Sequence, residues 1–351
     1  MNKYRVFRTK GGRFSALFDQ RALTVALSLT AVLAGLFILS ASLGEMFINP
    51  FEVIKVLLGQ GSDTSGLVVN KFRMPRMLVA LLTGVALAVS GAILQGMIRN
   101  PLASPDIIGI TGGAAVAVVA FLSAFSDENN ALTVSIQWMT LAAFAGAMVV
   151  GIAVYLLAYK NGVSPMRLIL IGIGISALMQ ALTTMFMIVG PIFRAAQANI
   201  WLTGSVQGSG WDDVHILAPI VVVLTIFAIL IARRVNAQEL GDELAAGIGA
   251  HLQWDRLLFL GLCTALTGVA VAFAGGVGFV GLMAPHMARR LVGSSYGGLI
   301  PVAALVGAIL VLGADLIGRT MFSPQEVPAG VFTATIGAPY FIYLLFKSKR
   351  A

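Results

Sequence analysis

Runs of about 20 residues without a formal charge recur from one end of this chain to the other, and each is long enough to cross a ~30 Å hydrocarbon layer as a helix. The longest, Leu257 to Met287, carries no Asp, Glu, Lys or Arg at all. Only 11% of the 351 residues are charged and 58% are hydrophobic, so the chain has too little polar surface to cover a water-facing exterior, for which about 25% charged is usual. Barrel strands do not fit, because the runs lack period-two alternation and are about twice the length a tilted strand needs. The expected fold is therefore all-α: a polytopic membrane protein of about ten transmembrane helices, near 22–42, 76–98, 106–125, 136–159, 168–189, 214–232, 257–274, 277–291, 299–318 and 329–346. The first run reads as a retained span rather than a cleavable leader, since more membrane protein follows it.

Charge placement orients the bundle. The uncharged run from Leu257 is either one overlong helix or two spans turned at Gly275-Gly276. With the turn, Lys55, Lys71, Arg73, Arg76, Arg194 and Arg319 lie outside and the other 17 of the 23 Lys and Arg lie in the cytoplasm, as the positive-inside rule requires. Both termini are then cytoplasmic. The expected organisation is a basic N-terminal segment (1–21), one transmembrane domain (22–346) with a cytoplasmic loop (233–256), and a basic tail (347–351). The net charge of +8 faces anionic lipid, which makes nucleic acid an unneeded partner.

Chemistry-bearing groups are sparse in the spans. Asp106 and Asp315 fall at expected span ends, and no span supplies a clear mid-depth carboxylate of the kind ion-coupled carriers use. His215, His251 and His286 are scattered and Cys263 is the single cysteine, so no metal-ligand cluster is expected. No GxxxxGK[ST] phosphate loop occurs. A transporter with neither feature is passive or is driven by a partner. Two rivals stay open: an ion-coupled secondary carrier, and an intramembrane enzyme built on His286 and Asp315.

Three patterns suggest contacts. Gly84, Ala88, Ala92 and Gly96 form a small-residue ridge, which packs helices tightly or borders a path. In the cytoplasmic loop, Leu240, Leu244 and Ile248 recur every four residues as the apolar edge of one short helix, with Glu239, Asp242 and Glu243 in its first turn; this edge rests on the bilayer or seats in a motor. Arg73-Met74-Pro75-Arg76, joined by Arg319, either anchors helices or forms a cationic rim for an acidic partner. Asn49-Pro50-Phe51-Glu52 reads as a helix start, stopped near Gly59.

These residues, taken in order, resemble a known family. Arg73-Met74-Pro75-Arg76, Gly84, Ser90-Gly91, Gln95, Arg99-Asn100-Pro101-Leu102-Ala103-Ser104-Pro105-Asp106 and Gly109 carry its N-terminal signature. Trp201-Leu202-Thr203-Gly204-Ser205, Leu240-Gly241, Ala245 and Gly249 follow. Gly278-Phe279-Val280-Gly281-Leu282, Ala284-Pro285-His286, Arg289, Asp315, Arg319, Glu326-Val327-Pro328-Ala329-Gly330 and Ile336-Gly337-Ala338-Pro339-Tyr340-Phe341 complete it. The chain is similar from about residue 45 onward to the permeases of ABC importers for iron-siderophores, haem and cobalamin. Met283 and Ala329 are mild departures.

The resemblance implies a non-catalytic permease that imports a ferric siderophore, or else cobalamin or haem, across the plasma membrane of a bacterium or archaeon. It implies a second permease, identical or paralogous, two cytoplasmic ATPase subunits that hold the ATP and Mg, and an external binding protein; no cofactor belongs to this chain. Arg73, Arg76, Arg319 and Glu326 resemble the docking residues for the binding protein. Glu239, Leu240, Gly241, Leu244, Ala245, Ile248 and Gly249 resemble the segment gripped by the ATPase. Gly84, Ala88, Gly91, Ala92, Gln95 and Gly96 resemble part of the path wall, and Asn100, Pro101, Pro285 and His286 are further motif positions.

Overall fold

The computed structural model describes residues 4–8, 15–126, 132–190 and 192–348. Lys3, Lys10 and Arg13 of the N-terminal segment and Lys349 and Arg350 of the tail lie outside the described residues. A small antiparallel hairpin, β1 (Tyr4–Arg8) and β2 (Ser15–Asp19), pairs Tyr4 with Asp19 and Arg8 with Ser15. Among the described residues every later element is a helix, so the all-α reading holds for the body of the chain. The Asp19 side chain accepts from the Arg21 N–H and starts α1 (Gln20–Ser42), supplying one of the orphan-donor partners a helix start needs. Asn49 likewise starts α2 (Pro50–Leu57) by accepting from Phe51 N–H, as its sequence predicts. Next come α3 (Asp63–Leu67), a π-helical turn (Val68–Arg73) and α4 (Met74–Ile98). The remaining helices are α5 (Ile110–Ala124), α6 (Gln137–Ala158), α7 (Pro165–Val189), α8 (Ile192–Thr203), α9 (Trp211–Leu230), α10 (Ala232–Glu239), α11 (Asp242–Gly247), α12 (Leu252–Ala274), α13 (Val280–Val292), α14 (Tyr296–Thr320) and α15 (Ala329–Ser348).

Each expected span falls on a helix. Among the described residues seven helices are long and apolar enough to cross a membrane: α1, α4 with the turns before it, α6, α7, α9, α12 and α14. This is a multi-pass membrane protein. The largest differences from the sequence reading are at α5 and α13. Helix α13 has 13 residues, about 20 Å at 1.5 Å per residue, too short for the hydrocarbon layer. The uncharged run does break at Gly275, whose φ of 66° suits glycine. The chain then returns along 275–279 and starts α13 inside the bundle, because Gly281 meets Gly91 two-thirds of the way along α4. Helix α5 also starts inside, with Gly109 against Ser176 in the middle of α7.

Helix α4 is the axis of the fold. It packs on α14, α12, α13 and α9, and from Met77 onward nearly all of it is buried. A Cβ on Gly84 would overlap the Gly307 backbone of α14, and one on Gly91 would overlap the Gly281 carbonyl of α13. Only glycine permits backbones that close, which is how membrane helices gain packing without a hydrophobic driving force between them. Ser90 Oγ reaches the Cys263 carbonyl at 3.0 Å and Thr267 Oγ1 at 2.7 Å, binding α4 to α12. Two ends emerge. Arg76 beside Asp315 marks one, and Arg99 beside Asp242 marks the other. Helix α1 begins at the second end, where Ala22 meets Gly298, and α15 runs toward it, with Tyr340 against His286.

Candidate functional site: two opposed contact faces and a cavity

At the first end the three expected rim arginines converge, but most of their hydrogen-bonding capacity is used internally. Helix α1 has no basic residue in its last turn, and its terminal carbonyls are met instead by cations from elsewhere. Arg73 donates to the carbonyls of Ala41, Ser42 and Met46. Arg319 donates to the carbonyls of Ser40 and Leu43 and to Ser40 Oγ. Such pairing satisfies orphan C=O groups at the negative end of the helix dipole. Arg76 lies 2.8 Å from both Asp315 and Glu326, and Arg319 Nε is 3.7 Å from Asp315. Asp315 is buried, while Glu326 is 30% exposed. A cleft of about 340 Å³ opens over them, lined by Glu45, Phe72, Arg73, Arg76, Arg319 and Glu326. The helix-anchoring reading of the arginines is realised; the cleft leaves room for an acidic visitor as well.

At the second end the loop differs from one continuous short helix. Helix α10 ends at Glu239, Gly241 turns the chain at φ 99°, and α11 begins at Asp242. Leu240 and Ile248 therefore flank α11 rather than ride on it, and Glu239 is not in its first turn. The three apolar side chains still stand free: Leu240 is 55%, Leu244 64% and Ile248 66% exposed, while Ala245 is buried beneath them. Asp242 fastens the segment to α4 through Arg99 at 3.1 Å and to α12 through Arg256 at 2.7 Å. Gly249, at φ 85°, ends it.

Between the ends lies a cavity of about 990 Å³, bounded by α5, α7, α8 and the two interior helix starts. Asp106, Thr111, Ser176, Gln180, Asn199 and Phe279 are among its lining residues, and among the described residues Asp106 is the one ionisable side chain there. Its position corrects the sequence reading. The segment after α4 folds into the bundle, Ile108 packs on Gly172, and Asp106 lies at mid-depth. Its carboxylate accepts from Thr111 Oγ1 at 2.7 Å and from the Phe279 N–H, so it joins the starts of α5 and α13. A mid-depth carboxylate thus exists, and carboxylate placement no longer argues against an ion-coupled carrier. None of Gly84, Ala88, Gly91, Ala92, Gln95 and Gly96 lines this cavity; all six are buried within the subunit as packing positions. The cavity is lined instead by polar residues of α7, among them Ser176, Gln180 and Thr184, spaced four apart. That spacing was the legible signal.

The remaining motif residues are structural. Asn100 Oδ1 accepts from Leu102 N–H at 2.9 Å and, with Pro101, stops α4. Pro285 is buried inside α13. His286 meets Tyr340 edge-on at 5.8 Å, near the second end, whereas Asp315 lies at the first; the two cannot share an enzyme site.

A family model described as the FecCD transport family matches residues 32–347. The chain belongs to the FecCD transport family. Among FecCD relatives, "Probable siderophore transport system permease protein YfhA" of Bacillus subtilis (strain 168) is 57% identical over 333 residues, 95% of this chain and 97% of that protein. The achromobactin transport system permease protein CbrC of Dickeya dadantii (strain 3937) is 45% identical over 340 residues, covering 97% and 96%. A solved structure described as an inward-facing conformation of an ABC transporter of metal-chelate type superposes with a TM-score of 0.82 at 29% identity, covering 93% of this chain and 99% of that one. The FecCD match begins within α1 and leaves the N-terminal hairpin outside. Membership in a family of transport permeases, rather than any count of carboxylates, separates this chain from the ion-coupled alternative.

Proposed function

We propose that this FecCD permease is the membrane subunit of an ATP-driven importer that moves a ferric siderophore inward across the plasma membrane of a bacterium or archaeon. The observation that carries the reading is α4: one buried helix of 25 residues, about 37 Å long, joins the arginine cleft at one end to the exposed apolar segment at the other. A rigid, glycine-packed axis between two opposed contact faces suits a gate loaded from one side and driven from the other. The cleft of Arg73, Arg76, Arg319 and Glu326 receives an acidic surface of an external binding protein. The segment from Glu239 to Gly249 seats in one of two cytoplasmic ATPase subunits, which hold ATP and Mg. A second permease, identical or paralogous, closes the open side of the cavity, where Leu170, Ile173 and Ile188 of α7 stand exposed. Ten membrane passes with both termini cytoplasmic agree with α1 starting, and α15 heading, at the ATPase end.

In this scheme the chain performs no chemistry. ATP binding closes the motor pair, the coupling segments move, and the cavity exchanges outward for inward access. The cargo names of YfhA and CbrC favour a siderophore, and a cavity lined by hydroxyl and amide groups can solvate a bulky chelate without stripping its iron. Uptake of an iron-labelled ferric trihydroxamate by cells carrying the complete transporter tests the reading. It should persist when the proton gradient is dissipated and stop when ATP is depleted. Uptake that follows the gradient would reject it.

A further inference from the structure

We infer that Glu239, Arg289 and Tyr296 form a latch that carries movement of the ATPase-facing segment into the cavity wall; the inference rests on the importer reading above. Arg289 Nη1 donates to Glu239 Oε1 at 2.9 Å, and Arg289 Nη2 donates to Tyr296 Oη at 2.7 Å. The Tyr296 hydroxyl in turn donates to Glu239 at 3.2 Å, and the guanidinium lies 5.6 Å from its ring centroid. Tyr296 is wholly buried against Gly96 of α4, and its N–H donates to Asn236 Oδ1 at 2.9 Å. Helix α10 is thus tied to the start of α14 and the end of α13 immediately before the chain enters the exposed segment.

The three carboxylate ties of this segment are not equivalent. Asp242 reaches α4 and α12, long helices held along their whole length by buried packing. Glu239 reaches α13, the short one. Arg289 lies in its last turn, while Phe279 and Gly278, just before its first, line the cavity. About ten residues of rigid helix, ~15 Å, separate the two. The stretch 275–279 ahead of α13 is non-helical, so α13 can shift as a unit and draw Gly278 and Phe279 with it when its other end is pulled. The Arg289 fork is split, one arm making a charge-assisted bond to Glu239 and the other donating to the Tyr296 hydroxyl, and two fixed partners hold direction as well as distance.

The experiment uses the assembled transporter in lipid nanodiscs. Gly278→Cys is the reporter, since a Cβ there meets nothing within 4 Å and the residue lines the cavity; native Cys263 is buried. With the latch intact, ATP plus vanadate should change the maleimide labelling rate by at least about fivefold, the lower end of coupling between linked sites. Arg289→Gln should erase that change while ATP hydrolysis continues, and Glu239→Arg combined with Arg289→Glu should restore it. An undiminished labelling response in Arg289→Gln overturns the latch. Should Arg289→Gln fail to assemble, Tyr296→Phe removes only the hydroxyl, and an undiminished response there overturns it equally. A transporter that carries no ferric trihydroxamate yet loses its response in Arg289→Gln would reject the cargo assignment and uphold the latch.

Discussion

Asp315 is held on two sides at the first end of the bundle, 2.8 Å from Arg76 and 3.7 Å from Arg319, with almost no solvent contact. Removing one partner of a buried ion pair leaves an uncompensated charge, at a cost of about 3–5 kcal/mol. Asp315→Ala should therefore lower the melting temperature of the detergent-purified permease sharply; an unchanged melting curve would mean that the arginines find water instead. Glu326 behaves differently because it is partly exposed and competes with any visiting carboxylate for Arg76. Glu326→Gln should tighten binding-protein docking and steepen its salt dependence, read by titration at two ionic strengths. Weaker docking would show that Glu326 itself makes the contact. The arginines stood out in the sequence as an exterior cluster beside a span. That two of them are spent on the last carbonyls of α1 did not, because those carbonyls lie about 30 residues before Arg73 in the chain and more than 270 before Arg319.

Among the elements, α11 and α7 are where local sequence pattern and tertiary structure part most clearly. The four-residue spacing of Leu240, Leu244 and Ile248 marked an apolar, partner-seeking segment, and all three are exposed. Their spacing did not reveal the break at Gly241, since a positive φ costs glycine nothing and leaves no periodic trace. Burial of a leucine is worth about 1.5–3 kcal/mol, so Leu244→Asp should reduce copurification of the ATPase by roughly tenfold or more while the permease still folds. Equal recovery of the ATPase would remove α11 from the contact. In α7, Ser176, Gln180 and Thr184 turn one polar stripe toward the cavity. Gln180→Trp, which fills that space, should slow ferric-chelate uptake with nucleotide hydrolysis retained. Undiminished uptake would place the route elsewhere.

For the whole molecule, the decisive arrangement is the separation of two contact faces by a central helix that contributes nothing to the cavity. On the importer reading proposed above, a subunit built this way is moved by its partners rather than self-powered. Purified alone and inserted into vesicles, it should not accumulate a ferric trihydroxamate against a gradient under an imposed proton or sodium gradient; accumulation there would end the ATP-driven reading. Compactness comes from many close backbone approaches rather than from polar bonds. The small residues of α4, read first as either packing or path, are buried in close helix contacts within the subunit.

By itself the sequence determined the class of the fold, the location of the long apolar helices, the family, the cluster of Arg73, Arg76 and Arg319 and the apolar residues Leu240, Leu244 and Ile248. Those properties follow from local quantities: the length of uncharged runs, the sign of nearby charges and residue spacing along a helix. Tertiary structure alone decided that α5 and α13 begin at mid-depth, that Asp106 joins them, that the outer arginines hold α1 and that the cavity belongs to α7 rather than α4. Each of these depends on which distant segment supplies the missing donor, acceptor or space, and no local pattern encodes that choice.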